Sequence, residues 1–226
     1  MRTLVLALAL AAPFALAGTV ESAGDRHQFA IDEQGGLPVR WMSCVPDCVG
    51  GAGVMLLRPG PGGSRLRFVV PGDAVATEAL NSLAYVAERR EENGRTVFIL
   101  NSMTPFGGRL LQQRYELDPR RRILALELQL PAGAGIELLA GSDFVPEKYP
   151  GFGGYYSTVR AVAIVAGEQE TLAPQGDEAV TDRALTAGDW AGIRGRFWTL
   201  MLRGDVPLVA AASATNEDLP TVTLHP

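Results

Sequence analysis

Residues 85–100 read YVAERREENGRTVFIL, and this stretch decides the fold class. Asn93-Gly94 is the strongest short-range hairpin signal in the chain, because a two-residue turn of this type needs positive φ at both positions. The arm before the turn is charged. The arm after it carries Thr96, Val97, Phe98 and Ile99, the β-branched and aromatic types that suit a pleated, half-buried surface.

Working outward, the same form repeats. Tyr115 and Leu117 lead into Asp118-Pro119-Arg120-Arg121-Arg122, and Ile123 to Leu130 follows. There Leu124, Leu126, Leu128 and Leu130 alternate with period two, the mark of a half-buried strand. Arg120 to Arg122 reads as a solvated basic turn, with an anionic-lipid contact as the other reading. Upstream, Ala30 to Val39 forms two short apolar pieces around Gly35-Gly36, a pair that supplies positive φ for a turn. Downstream, Val159 to Val165 and Arg196 to Leu202 are further short apolar runs. Asp73 to Leu83 suits a short helix or a loop equally well.

With 26 Gly and 15 Pro the chain is rich in turns, which disfavours a long-helix architecture. Hydrophobic residues make up 47% and charged residues 20%, enough for a packed core and against wholesale disorder. Many short strands separated by turn signals predict an all-β antiparallel sandwich with short or no helices, spanning residues 18–226 as one domain.

Residues 1–17 read as a signal peptide. Arg2 is the positive start, Leu4 to Leu10 is apolar, and Ala15-Leu16-Ala17 precedes Gly18 as a small-x-small cleavage site. An uncleaved anchor is the alternative. No later segment reaches the length of a membrane span, so no transmembrane span is expected in the mature chain, and the expected location is the periplasm. Export makes Cys44 and Cys48 an expected local disulfide. Their spacing is not C-x-x-C, which argues against a redox-active pair, and two Cys without a nearby His do not complete a zinc site. The formal net charge of −5 argues against nucleic acid as a partner, since phosphate binding needs a cationic face.

Three stretches together resemble a known family. The first is Phe29-Ala30-Ile31-Asp32 with Gly35-Gly36 and Trp41. The second is Gly94-Arg95-Thr96-Val97 with Tyr115-Glu116-Leu117 and Ile123 to Leu130. The third runs from Gly188-Asp189-Trp190 through Ile193-Arg194-Gly195 to Arg196-Phe197-Trp198. In this order they resemble the periplasmic domain of YidC, the bacterial membrane protein insertase. The resemblance implies a β-supersandwich related to galactose mutarotases. It also implies a non-catalytic role beside the insertase and Sec translocon components. The family's five-helix insertase core has no counterpart here, and the chain ends before the family's last strands and linking helix. The implied role is therefore a binding or scaffold module in membrane-protein insertion or envelope assembly, not insertion itself.

The mutarotase-like fold raises an alternative, a secreted carbohydrate-binding or carbohydrate-active protein. Proton transfer at an anomeric centre needs a positioned acid and base. His27 and His225, both near chain ends, are expected at the surface and supply neither. Gly141-Ser142-Asp143 lacks the nucleophile elbow. Asp143 and Glu147 are close in sequence, but such pairs on loops are usually solvated. No phosphate-cradling motif exists, and the lone lysine is Lys148. The expectation is no enzyme, no catalytic residue, no metal and no cofactor. The candidate contact surface is the Gly- and Pro-rich segment with Phe144, Tyr149, Phe152, Tyr155 and Tyr156, whose rings offer large contact area at low entropy cost, or alternatively cap the core. Trp190, Phe197 and Trp198 are expected to pack in the core.

Overall fold

Asn93 and Gly94 adopt φ of 52° and 74°, the left-handed pair that the two-residue hairpin turn demands. Tyr85–Glu92 and Arg95–Ser102 pair antiparallel on either side, from Glu92 opposite Arg95 to Tyr85 opposite Ser102. The computed structural model describes residues 18–24, 26–45, 47–49, 52–58, 63–118, 123–141, 159–174, 179–195, 199–214 and 219–226. In chain order the elements are β1 (Thr19–Gly24), β2 (His27–Asp32), β3 (Pro38–Val45), β4 (Ala52–Leu57), β5 (Arg65–Val69) and α1 (Ala74–Asn81). Then come β6 (Tyr85–Glu92), β7 (Arg95–Ser102), β8 (Gln112–Asp118), β9 (Ile123–Leu128), β10 (Gly135–Leu139) and β11 (Arg160–Val165). The chain finishes with β12 (Glu168–Pro174), β13 (Ala179–Leu185), β14 (Trp190–Arg194), β15 (Thr199–Arg203), β16 (Leu208–Ala214) and β17 (Thr221–His225).

The strands form four antiparallel sheets in an all-β sandwich with one short helix. Their orders are β1-β2-β3-β4, β6-β7-β8-β9, β13-β16-β17-β10-β5 and β12-β11-β14-β15. The first two are meanders, the connection that short turns between successive strands favour. They meet through Phe29 on β2. Its ring lies 6.5 Å from Trp41 on β3, and 6.3 Å from both Phe98 on β7 and Tyr115 on β8. Phe98 and Tyr115 oppose each other in register and are fully buried, so they share the inner face of their sheet. Leu126, Leu128 and Leu130 are half-buried, in line with their period of two.

The β2–β3 connection is docked onto the second sheet. Gly35 and Gly36 take φ of 82° and 69°. The Gly35 amide donates to the Leu83 carbonyl at 2.8 Å. The Gly36 carbonyl accepts from the buried Tyr115 hydroxyl, which also stands 2.9 Å from Gln113 Oε1, while Gln113 Nε2 donates to the Tyr85 hydroxyl at 2.9 Å. A Cβ on Gly36 would stand 2.8 Å from Gln113 Oε1 and 3.0 Å from the Tyr85 ring, so only glycine fits. Glu33 adds to this joint. Its Oε2 accepts from the Gly18 amide at 2.9 Å, its Oε1 from Ala87 at 3.3 Å, and its carbonyl from Tyr85 at 2.8 Å.

The opposite face of β6, β7 and β8 is a charged layer. Arg114 donates to Glu92 at 2.8 Å and Glu116 at 2.7 Å, Arg95 also pairs with Glu116, and Arg90 pairs with Glu88 at 2.7 Å. Those arginines hold the Glu116 carboxyl below the usual carboxylate range, Arg114 contributing most. Val97, flanked across the strands by Arg90 and Glu116, is fully buried on this face, as when aliphatic stems of charged side chains cover an apolar residue.

Within residues 73–83, a stretch that suits a helix or a loop in sequence, Ala74–Asn81 form a helix because both ends are capped. Asp73 accepts from the Ala76 amide at 2.8 Å, the usual service of an N-cap carboxylate. Leu80 is the buried residue of the helix. Asn81 accepts from the Phe68 amide at 2.9 Å and donates to its carbonyl at 2.8 Å. The helix thereby supplies partners to β5, the last strand of its sheet, which would otherwise present unpaired backbone groups.

Between the third and fourth sheets the core is built from small and branched residues: Ala161 and Ala163, Ala191 and Ile193, Ala210 and Ala212, with Val222 and Leu224. Arg183 on β13 donates to Glu170 on β12 at 2.7 Å, joining the two sheets at one border.

Candidate ligand-binding face

The inward alanines of β11 and β14 leave the alternate residues on the opposite face, since side chains alternate along a strand. Arg160 opposes Arg194, Val162 opposes Gly192, and Ile164 opposes Trp190. On the other side of β14, Trp190 opposes Arg203, Gly192 opposes Met201, and Arg194 opposes Thr199. Opposed residues of an antiparallel pair share a face. Trp190 and three arginines therefore stand together, and no carboxylate of these described strands shares their face.

The centre of this face, Val162 and Gly192, is buried, while Arg160, Arg194 and Arg203 are exposed. Trp190 is 37% exposed, and the Arg203 guanidinium carbon lies 5.6 Å from its ring centroid, within cation–π range. Gly192 admits no side chain, because a Cβ there would collide with the Leu200 carbonyl oxygen. Arg194 donates to Gln169 Oε1 on β12. Among the described residues Arg160, Arg194 and Arg203 have no carboxylate partner, in contrast to Arg90, Arg95 and Arg114. Arg160 facing Arg194 is a like-charge pair, which costs stability unless an anion screens it.

Asp189 positions the aromatic residue beside it. Its Oδ2 accepts from the Thr186 amide and hydroxyl, both at 2.8 Å, and its Oδ1 from the Ala166 amide at 3.1 Å. These bonds, the Thr186 hydroxyl first, hold its carboxyl below the usual range. They tie the β11–β12 turn to the residue where β14 begins.

Cys44 and Cys48 are joined by a disulfide with Cα atoms 5.0 Å apart, at the end of β3. Phe144, Tyr149, Phe152, Tyr155 and Tyr156 lie outside the described residues. So do Ser142, Asp143, Glu147, Lys148, the Arg120–Arg122 tip, Phe197, Trp198 and the signal-like residues 1–17.

Two expectations are corrected. Trp190 is not core but stands on the open face, because the inward positions of β14 belong to Ala191 and Ile193. His27 is not at the surface but 3% exposed, because it points to the same side of β2 as Phe29. Its partner across the strands is Ser43, 2% exposed. His27 Nε2, Ser43 Oγ and Trp41 Nε1 are all buried without a hydrogen-bond partner. Burial lowers the pKa of His27. His225, on β17, is half-buried with Nδ1 3.1 Å from the Pro226 carbonyl oxygen.

The residue pattern that identifies the face is Trp190-x-Gly192-x-Arg194, legible in the sequence once this segment is taken as a strand. Among the described residues no group of three or more His, Cys, Asp or Glu could hold a metal ion, and no helix is long and apolar enough to cross a membrane. No family model matches this chain, and no curated protein matches it.

Proposed function

We propose that this chain is an exported, non-catalytic binding or scaffold module. By its resemblance to the YidC periplasmic domain, it would work at the periplasmic face of the inner membrane in membrane-protein insertion or envelope assembly. The observation that carries a recognition role is the exposed Trp190–Arg203 stack with Arg160 and Arg194 on one face that holds no carboxylate among the described residues. Exposed aromatic and arginine side chains are the residue types that dominate recognition surfaces. The ordered likeness of the Phe29, Tyr115 and Trp190 stretches supports the choice of partner class. The test is binding of the purified chain, immobilised, to purified insertase and translocon components. Retention that a Trp190→Ala, Arg194→Ala double variant weakens is the expected result; retention of neither component ends the proposal.

The exposed Trp190 ring favours a second reading, a carbohydrate-binding protein, because sugars stack on flat aromatic surfaces. A glycan array together with a mutarotation assay separates the two.

A further inference from the structure

The four sheets leave several strands at their borders, and two of these are treated in opposite ways. β6, outermost in its sheet, carries Glu88, Arg89, Arg90, Glu91 and Glu92 in succession. β15 is outermost in its sheet and reads Thr199-Leu200-Met201-Leu202-Arg203. Among the described residues no strand and no side chain partners its outer border. Charged side chains are the usual means of keeping foreign strands off such a border. β15 has one charge, at its end.

Resting on the reading that the Trp190 face is a recognition surface, we propose that β15 accepts an extended, acidic segment of a partner polypeptide as a fifth strand of its sheet. Backbone pairing supplies affinity in this mode and alternate side chains supply specificity. The register of the face dictates the segment. The residue opposite Arg203 meets a guanidinium already held over Trp190. Four positions along, the residue opposite Thr199 meets a short side chain beside Arg194 on β14, which would exchange its bond to Gln169 on β12 for a carboxylate there. Both positions call for carboxylates. The positions between that face the other side of the sheet lie beside Leu200 and Leu202, and call for apolar residues. Arrival of a carboxylate near Arg194 also relieves its repulsion with Arg160. The recognised pattern is acidic–apolar–any–apolar–acidic.

The experiment uses the full chain and a labelled, end-capped peptide of sequence Glu-Val-Thr-Val-Glu, read by fluorescence anisotropy and by Trp190 emission. Saturable binding is expected, weakened about tenfold or more by Arg203→Ala and by Arg194→Ala, a loss typical of a charge-assisted contact. Replacing both Glu by Lys, or methylating the peptide's backbone nitrogens that face β15, should abolish it. Equal binding of the Lys peptide or of the N-methylated peptide overturns the proposal. So does competition for the same site by polygalacturonate or by anionic phospholipid vesicles alone. Circular dichroism of each variant establishes that it is folded. Failure of the peptide with retained capture of translocon components defeats this inference and leaves the module reading standing; loss of that capture defeats the module reading.

Discussion

The Tyr115 hydroxyl donates to the Gly36 carbonyl, joining residues 79 apart in the chain and locking the β2–β3 connection onto the β6–β9 sheet. Because both groups are buried, water cannot replace either partner. Tyr115→Phe leaves the Gly36 carbonyl and one side of Gln113 short of a donor. The expected loss is about 1–3 kcal/mol. Gly36→Ala adds positive-φ strain to a clash with Gln113 and Tyr85, and is expected to cost more. Urea midpoints of the two variants check both values, and a Gly36→Ala protein as stable as the parent would contradict this joint.

The same network makes an alkaline signature. Burial pushes the Tyr85 hydroxyl up to about 12, Gln113 offsetting it in part, and pushes Tyr115 well above the ordinary tyrosine value. An unfolded tyrosine releases its proton near pH 10. From about 10 upward the unfolded chain therefore holds fewer protons than the native one, so stability falls as pH rises through this window. Tyr85→Phe should flatten that fall, as measured by unfolding midpoints at about pH 9 and about pH 11.

At the acid end His27 acts with the opposite sense. Its folded pKa is lowered from 6.5 by burial, so its contribution is complete above 6.5 and is lost as pH falls through the folded value. This loss begins before the carboxylates titrate. His27→Gln is expected to remove the slope just below neutrality while leaving the steeper acid limb. An unchanged slope in thermal melts across that range would mean that His27 is solvated.

The Cys44–Cys48 disulfide closes a ring so short that the chain-entropy model assigns it about 2 kcal/mol. Its connection is also local, at one end of β3. A Cys44→Ser, Cys48→Ser chain should therefore fold, with a loss near or below that figure in guanidinium unfolding. Failure to fold would reveal a larger role.

Much of the fold was legible because β periodicity is written locally. Asn93-Gly94 names its turn, and Leu126, Leu128 and Leu130 name their face. The helix at 74–81 was ambiguous since a decisive pair of bonds, Asn81 to Phe68, forms only when the helix folds back onto the preceding strand. His27 and Trp190 were misplaced for a related reason. Which face of a strand is buried depends on the sheet packed against it, and Phe29 and Ile193 decide that only in three dimensions. The pairing of Arg160 with Arg194 likewise follows from strand register, to which neither segment alone testifies.

The contact between Gly18 and Glu33 would gain a second role if the chain were cut after Ala17. Cleavage after Ala17 would turn the Gly18 amide, already 2.9 Å from the Glu33 carboxylate, into an ammonium ion. A hydrogen bond with one charged partner would become an ion pair between two. Glu33→Gln should then destabilise the processed form more than the unprocessed one, and equal losses in both would dissociate trimming from this carboxylate. The peptidase would in that case do more than release the precursor: its cut would create the ion that fastens the newly made terminus to the body of the protein.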